Sequence, residues 1–535
     1  MRFIRSNQIL KTTHTYTRTT TLVTALGLVV IAGLASCTVG PNYEAKKVDI
    51  TDTFGSLDAG VASAPSAEAA ARSTTANATS LAPGAIATWW EQLNDPALTQ
   101  LVSQAAAMNL DLKLAQSRLR EARALRGIAF SARLPLVDAR SEATRSRNSE
   151  NLDNFGNFGG NNSDTTNFQG GLDASWEIDL FGRISRDIEA ADADIDVARE
   201  AKFAVLVSVV AEVADAYIDH RVLSRRVLVS EQTIAAQRET VNLTQTRLNA
   251  GIANELEVAQ AQALLSSRQA QLPTFQAGQR LAAHRLAVLL GRAPGTPVEE
   301  LTQASTLDQI PASMTQVPIG LPSELLRRRP DLRQAERQVA AATARIGVAT
   351  AELYPRFSLT GTFGFSAGDI ANIADGNSRV WSVGPSMRWS IFSAGRIRSQ
   401  IAAADARAEQ SLIQYERSVL VALREVEDSL TNLAYEQDRQ SALARTVIAS
   451  KRAATLAQDR YQSGVGDFLD VLEAQRQAYD AEDQLVTSKG TSLRALIALY
   501  KALGGGWPEE MPTPTTPDQT PADEAATAQA TLPVQ

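Results

Sequence analysis

Two carboxylates near the end of the chain have a spacing that suits cation binding. Asp470 and Glu473 lie three residues apart, so a helix places both on one face. Carboxylates arranged in this way around a pore can select cations or hold a closed state. The alternative is a solvated acidic first turn of a helix, stabilised by the helix dipole. Both interpretations place the pair close to the start of a helix.

The other reactive side chains form no readable catalytic or metal site. Cys37 is the only cysteine, which excludes an internal disulfide and a cysteine-based metal cluster. The histidines His14, His220 and His284 share no motif, and no nucleophile–base pair or phosphate loop can be read. The net charge of −7 gives no sign of nucleic-acid binding. The sequence therefore argues against an enzyme built on a helical scaffold.

Cys37 follows a pattern typical of an exported lipoprotein. Residues 1–20 contain basic but no acidic residues, and a short apolar run, Leu22–Leu34, follows. This predicts a signal peptide over 1–36. The run ends in LASC, the form of a bacterial lipobox, so cleavage before Cys37 would free its thiol for a covalent lipid, with no other cofactor expected. The residue after Cys37 is Thr38 and not Asp, and in lipoproteins the absence of Asp at this position favours sorting to the outer membrane. The alternative is an ordinary signal peptide with a chance cysteine.

One block of sequence occurs twice, at an offset of 213 residues. GRI at Gly182 recurs at Gly395, and GIANELEVAQAQ from Gly251 recurs as GVGDFLDVLEAQ from Gly464. A duplication of this length predicts two copies of one structural unit. The predicted segments are a signal peptide (1–36), a lipid anchor and low-complexity linker (37–85), a first copy (86–290), a mid-chain linker (291–322), a second copy (323–507) and a disordered tail (508–535).

Each copy contains a pair of amphipathic strands, expected within 134–181 and 355–392. Apolar and polar residues alternate over 168–180, 357–366 and 381–391, and this period of two indicates strands with one apolar and one polar face. A weaker run precedes them in the first copy. Runs of about ten residues with aromatic residues near their ends suit transmembrane strands. A soluble sheet with one solvated face has the same pattern.

A long helical hairpin follows the strands in each copy, over 183–290 and 396–503. Neither Pro nor Gly interrupts the first arm of either hairpin before its turn at Gly251 or Gly464. About 65 residues at ~1.5 Å each give roughly 98 Å. Apolar residues recur at every seventh position, as in coiled coils, and His220 on this seam is expected to pack there. Glycine at each turn supplies the positive φ of a helix C-cap.

Together these motifs resemble the outer membrane factor family of the TolC/OprM type, in its NodT-like lipidated branch. The resemblance covers about 37–52 and 86–507. It is carried by CTVGPNY from Cys37, WW at Trp89 with DPAL from Asp95, LLRRRPDL from Leu325 and the two glycine turns. It implies an α+β membrane protein in which four transmembrane β-strands per chain contribute to a trimeric, twelve-stranded β-barrel. A long periplasmic α-helical barrel continues it, and the internal repeat is twofold.

The resemblance implies passive conduction rather than an enzyme. A homotrimer among outer membrane lipids of a Gram-negative bacterium would receive cargo from an inner-membrane pump, expected to be of the RND type. A periplasmic adaptor would join the two. One alternative is the exit duct of a type I protein secretion system. Another is a periplasmic coiled-coil adaptor lipoprotein, which would have a single hairpin between lipoyl-like β halves.

The family's periplasmic gate corresponds to the turns of the hairpins. The resemblance pairs Tyr461 with a carboxylate of the first copy, Glu257, and places Asp470 and Glu473 in an acidic ring around the axis of the trimer. A basic residue joins this gate in some members, but its position here is Gly466. The residues expected to contact the adaptor at the tips are Leu248, Gly251, Tyr461 and Gly464.

Overall fold

The computed structural model describes residues 38–45, 87–147, 164–303 and 327–507. In these residues the chain is mostly helical, with one four-stranded antiparallel sheet. The elements in chain order are α1 (Pro96–Met108), α2 (Leu110–Ser131), β1 (Leu136–Ser146), β2 (Thr165–Ile178), α3 (Arg183–Asn249), α4 (Glu255–Leu289), α5 (Glu299–Gln303), α6 (Pro330–Ala351), β3 (Arg356–Ala367), β4 (Arg379–Arg388), α7 (Arg396–Gln462) and α8 (Phe468–Ala502). The predicted signal peptide, Cys37 and the tail lie outside the described residues.

The helices that follow the strands are as long as their lack of proline and glycine predicts. α3 and α7 contain 67 residues each, which corresponds to about 100 Å. The return helices α4 and α8 contain 35 residues each. His220 is 7 % exposed, as expected for a residue on the packed seam of α3.

The sheet has the order β1-β2-β3-β4. Its registers align an apolar row across the four strands, made of Ala139, Leu172, Phe363 and Trp381. The neighbouring row is polar and consists of Asp138, Asp173, Thr362 and Ser382. Phe363 and Trp381 are 52 % and 72 % exposed. The predicted alternation is therefore present, and in the single chain the apolar face is open.

The two sequence copies join at a pair of glycines between β2 and β3. Gly171 and Gly364 lie opposite each other. A Cβ on Gly364 would lie 2.5 Å from the carbonyl oxygen of Gly170, and a Cβ on Gly171 would lie 2.6 Å from that of Phe363. No side chain fits at these distances, so the close approach of the strands requires glycine at both positions.

The residues from Leu98 to about Arg133 are strong helix formers, but they do not form one continuous helix. Asn109 has a ψ of 135°, which separates α1 from α2. Its buried side-chain amide donates to the carbonyl oxygen of Leu289 at 2.9 Å. This contact with α4 holds Asn109 in a non-helical conformation that the helix-forming residues around it do not indicate.

Prolines mark two further departures from simple helix and strand patterns. Pro273 lies inside α4 without ending it. Pro385 lies inside β4, which is an edge strand of the sheet of the single chain, and edge strands tolerate proline better than central strands do. β4 ends at Arg388 rather than at the predicted Ile391, and the indole of Trp389 donates to the carbonyl oxygen of Leu353 at 3.0 Å.

The chain forms two compact units, and each contains parts of both sequence copies. Among the described residues, unit 1 takes in 38–45, 110–147, 164–205 and 329–424, which include the whole sheet. Unit 2 takes in the described residues 87–109, 206–303, 327–328 and 425–507, which include both turns of the helical hairpins.

In unit 1, the N-terminal segment is bound to the helices that flank the sheet. The guanidinium of Arg186, whose side chain is 4 % exposed, donates to the carbonyl oxygens of Val39 and Gly40 at 3.1 and 3.3 Å. The hydroxyl of Tyr43 donates to Glu336 at 3.0 Å. The segment is therefore held at both ends, by α3 and by α6.

In unit 2, the sequence around DPAL forms part of the core. Asp95 caps α1 by accepting the N–H of Ala97 at 3.0 Å, and it also accepts the hydroxyl of Tyr217 at 2.6 Å. Trp89 stacks on Tyr500 with ring centroids 5.2 Å apart. One aspartate thus starts a helix and fixes it to α3.

Among the described residues, none of the helices is both long enough and apolar enough to cross a membrane.

Candidate functional site

The turns of the two hairpins use one backbone motif. Gly251 and Gly464 have φ values of 72° and 75°, so the predicted C-cap glycines are confirmed. The N–H of Ile252 donates to the carbonyl oxygen of Arg247 at 2.9 Å, and the equivalent bond after α7 is 3.0 Å long. These bonds define a Schellman motif, which satisfies carbonyl groups at the end of each helix.

A polar side chain starts each return helix. Asn254 accepts the N–H of Glu257 at 3.0 Å at the start of α4. Asp467 accepts the N–H of Leu469 at 3.3 Å at the start of α8. Both residues are N-caps, which satisfy N–H groups that have no partner within the helix.

Tyr461 connects the second hairpin to the first. Its hydroxyl donates to Glu257 at 2.6 Å, so the predicted pair is in contact. Its ring is buried in a small apolar cluster with Phe468 and Val471, and the centroid of the Phe468 ring lies 5.2 Å away. A short bond to a carboxylate beside an apolar cluster is stronger than the same bond in water.

Arg247 makes a second connection to the same tyrosine. Its guanidinium lies 4.4 Å from the centroid of the Tyr461 ring and donates to the carbonyl oxygen of Tyr461 at 3.1 Å. The sequence prediction did not include Arg247. The only signal for it is an arginine four residues before each turn glycine, and Arg460 has the same position in the second copy.

Two ion pairs continue these connections along α8. Arg268 of α4 donates to Asp480 at 3.1 Å and lies 3.8 Å from the centroid of the Tyr479 ring. Arg226 of α3 forms a two-bond pair with Asp483, at 2.7 and 2.9 Å. Bidentate arginine–carboxylate pairs fix geometry as well as adding energy, so the first hairpin positions α8 well beyond the turn.

The environment keeps the hydroxyl of Tyr461 protonated. Burial, followed by the bond to Glu257 and the charge of that carboxylate, raises the pKa of Tyr461 to about 12. The environment of Glu473 instead favours its ionised form. Its carboxylate accepts hydrogen bonds from Gln477 at 2.9 Å and from Arg476 at 3.0 Å. These bonds lower the pKa of the exposed Glu473 carboxyl below its ordinary value.

The remaining predicted residues lie around this contact. Asp470 and Glu473 are exposed on the first turns of α8, and Gly251 and Gly464 are exposed at the turns. Leu248 is half-buried, whereas Tyr461 is only 4 % exposed. The large exposed apolar residues at the turns are Ile252, Leu256, Val465 and Leu469. No cluster of three or more potential metal ligands occurs in the part of the chain that the structure describes.

Comparison with known proteins gives the family. A profile described as "Outer membrane efflux protein" matches residues 101–292 and 321–505. The chain belongs to the outer membrane efflux protein family. Both hairpins of this efflux protein, with their turns, lie in the matched ranges. The resemblance drawn from the sequence motifs is confirmed.

Individual relatives agree with this assignment. Nodulation protein T of Rhizobium leguminosarum bv. trifolii is 31 % identical over 474 residues, which are 89 % of this chain and 95 % of the relative. The solvent efflux pump outer membrane protein SrpC of Pseudomonas putida is 33 % identical over 417 residues, 78 % of this chain and 87 % of the relative. The solved outer-membrane channel OprN is 37 % identical with a TM-score of 0.78, covering 88 % of this chain and all of OprN. The protein is an outer membrane efflux channel.

Proposed function

We propose that this efflux channel works as a homotrimer whose periplasmic gate is formed by the two hairpin turns of each chain. It conducts cargo passively from an inner-membrane pump of the RND type and a periplasmic adaptor to the exterior, without covalent chemistry. The observation that carries the proposal is the 2.6 Å bond between Tyr461 and Glu257. Because this bond joins the two hairpins at their turns, its loss removes one of the contacts that hold the second hairpin against the first.

The sheet supports assembly from several chains. β1 and β4 are its edge strands, and strand edges left open to lipid carry backbone groups without hydrogen bonds. Four strands do not close a barrel, whereas pairing β4 of one chain with β1 of the next would close one. Three chains would give twelve strands, a number that rests on the family resemblance. Heat-modifiable trimers in purified outer membranes are expected, and a stable monomer there would contradict the proposal.

Cys37 is proposed to carry the lipid anchor. The support is the lipobox form of LASC and the tight binding of the segment that follows it. Radiolabelled palmitate is expected to be incorporated into the wild-type protein and not into Cys37→Ser. Equal labelling of the two proteins would refute lipidation at this residue.

The acidic pair is proposed to form the cation-selective part of the gate. Both carboxylates are exposed, and the bonded Glu473 remains ionised at a lower pH than an ordinary glutamate. Asp470→Ala combined with Glu473→Ala is expected to raise single-channel conductance in planar bilayers and to weaken block by multivalent cations. Unchanged conductance and unchanged block would leave the solvated first helical turn as the better account of this pair.

The exposed aliphatic residues at the turns are proposed to contact the adaptor. Ile252 and Val465 are 67 % and 73 % exposed, and they occupy equivalent positions in the two copies. A photo-crosslinker at either position is expected to capture the adaptor in the assembled pump. Tyr435, 64 % exposed on α7 away from the turns, provides the control position. Capture from Tyr435 but from neither turn would exclude docking at the tips.

A further inference from the structure

We propose that Arg247 is the basic positioning residue of the gate, supplied by the first hairpin in place of the residue missing at Gly466. The inference rests on the proposed gate at the hairpin turns and adds a residue to it. In this arrangement, Arg247 fixes the ring and backbone of Tyr461 while Glu257 fixes its hydroxyl.

The contacts of Tyr461 show how this works. Glu257 accepts its hydroxyl at 2.6 Å, at the far end of the side chain. Arg247 approaches from the near end, donating to the carbonyl oxygen at 3.1 Å with its guanidinium 4.4 Å from the ring centroid. Both partners belong to the first hairpin and Tyr461 belongs to the second, so the two contacts act across the same junction.

The burial of Arg247 strengthens the contact. Its Nε is buried without a hydrogen-bond partner among the described residues. A partly desolvated guanidinium over an aromatic ring is stabilised more strongly than one in water. The planar guanidinium can donate to a carbonyl group and lie over a ring at the same time, which an ammonium group does less well.

Arg247 also belongs to the backbone of the first turn. Its carbonyl oxygen accepts the N–H groups of Ile252 and Ala253, at 2.9 and 3.3 Å. The side chain of Ile252 is exposed and lies on the surface proposed for the adaptor. A partner that shifts this turn therefore moves the backbone of the residue that holds Tyr461, which links docking to release of the gate.

The second copy lacks a reciprocal contact. Arg460 occupies the equivalent position, but its side chain is exposed, and the equivalent of Tyr461 in the first copy is Leu248. The arginine of the first hairpin therefore holds the tyrosine of the second, and not the reverse. Arg460 supplies a matched control with the same charge, in the same motif and at the same distance from its turn.

Single-channel conductance of the purified full-length trimer in planar bilayers tests the inference. Arg247→Gln is expected to raise mean conductance several-fold, and Arg247→Lys, which keeps the charge, to raise it less. Arg460→Gln is expected to match the wild type. Tyr461→Phe keeps the ring under Arg247 and loses only the hydroxyl, so Arg247→Gln with Tyr461→Phe is expected to open the channel more than either change alone. Unchanged heat stability of the trimer in each variant separates gating from unfolding.

The possible failures are distinguishable. Wild-type conductance in Arg247→Gln, with open channels in Tyr461→Phe, would overturn the role of Arg247 and leave the gate intact. Equal opening by Arg247→Gln and Arg460→Gln would show a general effect of charge and would also overturn it. Wild-type conductance in Tyr461→Phe and in the Asp470→Ala, Glu473→Ala variant would overturn the proposed gate itself.

Discussion

The turns of the first and second hairpins share a backbone but differ in what their side chains contact. Both have a left-handed glycine, a Schellman motif and a polar N-cap. At the second turn, Tyr461 and Phe468 are buried, whereas the equivalent residues of the first turn are the half-buried Leu248 and the exposed Glu255. The two turns thus have one backbone motif, and their different side chains make a contact that runs in one direction, from the first hairpin to Tyr461 of the second.

The largest difference between the turns is expected from loss of the buried aromatic ring. Phe468→Ala removes a side chain that is 1 % exposed and should lower the free energy of unfolding at the second turn by about 3–5 kcal/mol. Hydrogen exchange of the amides at both turns measures this loss. Glu255→Ala, at the equivalent exposed position, is expected to leave exchange unchanged. Similar losses in the two variants would show that the turns are alike after all.

His220 provides a pH-dependent difference between the copies, since its equivalent in α7 is the buried Leu433. Burial, with a smaller contribution from Arg221, lowers the pKa of His220 to about 4. Because the pKa in the folded state lies below the unfolded value of about 6.5, the unfolded state binds a proton first as the pH falls. The free energy of unfolding is therefore highest above pH 6.5 and decreases by about 3 kcal/mol as the pH falls toward 4. His220→Leu is expected to remove this acid sensitivity of the melting temperature. His284→Leu, at an exposed histidine, should retain it, and a retained acid loss in His220→Leu would assign that loss to other groups.

The glycines test the part that the turns share. Alanine at either Gly251 or Gly464 must adopt a positive φ and should lower the free energy of unfolding by about 1–2 kcal/mol. The two losses are expected to be equal within error when measured by hydrogen exchange of the amides at the turns. Gly127→Ala is the control, because Gly127 lies inside α2 with open space around its Cα. A cost at only one turn would contradict the shared backbone.

The caps should produce the smallest effects. Asn254→Ala and Asp467→Ala should each lower the stability of their helix by about 1 kcal/mol. The loss in Asn254→Ala should be the larger, because the bond from Asn254 is 3.0 Å long and that from Asp467 is 3.3 Å long. Hydrogen exchange of the first amides of α4 and α8 measures both losses. Asn254→Asp and Asp467→Asn retain a capping oxygen and should stay close to the wild type. A larger effect at Asp467 would indicate that its carboxylate also acts in the gate.

Most of the fold could be predicted because its signals are local. The length of α3 and α7 follows from missing proline and glycine, and the faces of the sheet follow from alternation. The break at Asn109 could not be predicted in this way, because its partner Leu289 is 180 residues distant. The end of β4 at Arg388 likewise accompanies a bond between Trp389 and Leu353.

The site was predicted less completely. The contact between Tyr461 and Glu257 was expected only from the family resemblance, since no spacing rule joins residues in different hairpins. Arg247 was missed because the sequence around it does not distinguish it from Arg460: each stands four residues before a turn glycine. The distinction depends on which ring packs beside it, and this is a tertiary property.

Each of the two compact units contains residues from both sequence copies, and this constrains the order in which the chain can fold. Unit 1 needs residues from Tyr43 to Glu336, which are 293 positions apart, and unit 2 joins Gln92 to Tyr500 across 408 positions. Each core therefore needs residues of both copies, so neither copy can fold first as an independent domain. During export the first copy exposes the apolar faces of its amphipathic helices and its unpaired strands until the second copy follows. We expect it to depend on holding chaperones, and we expect truncation before Tyr500 to prevent closure of the core of unit 2.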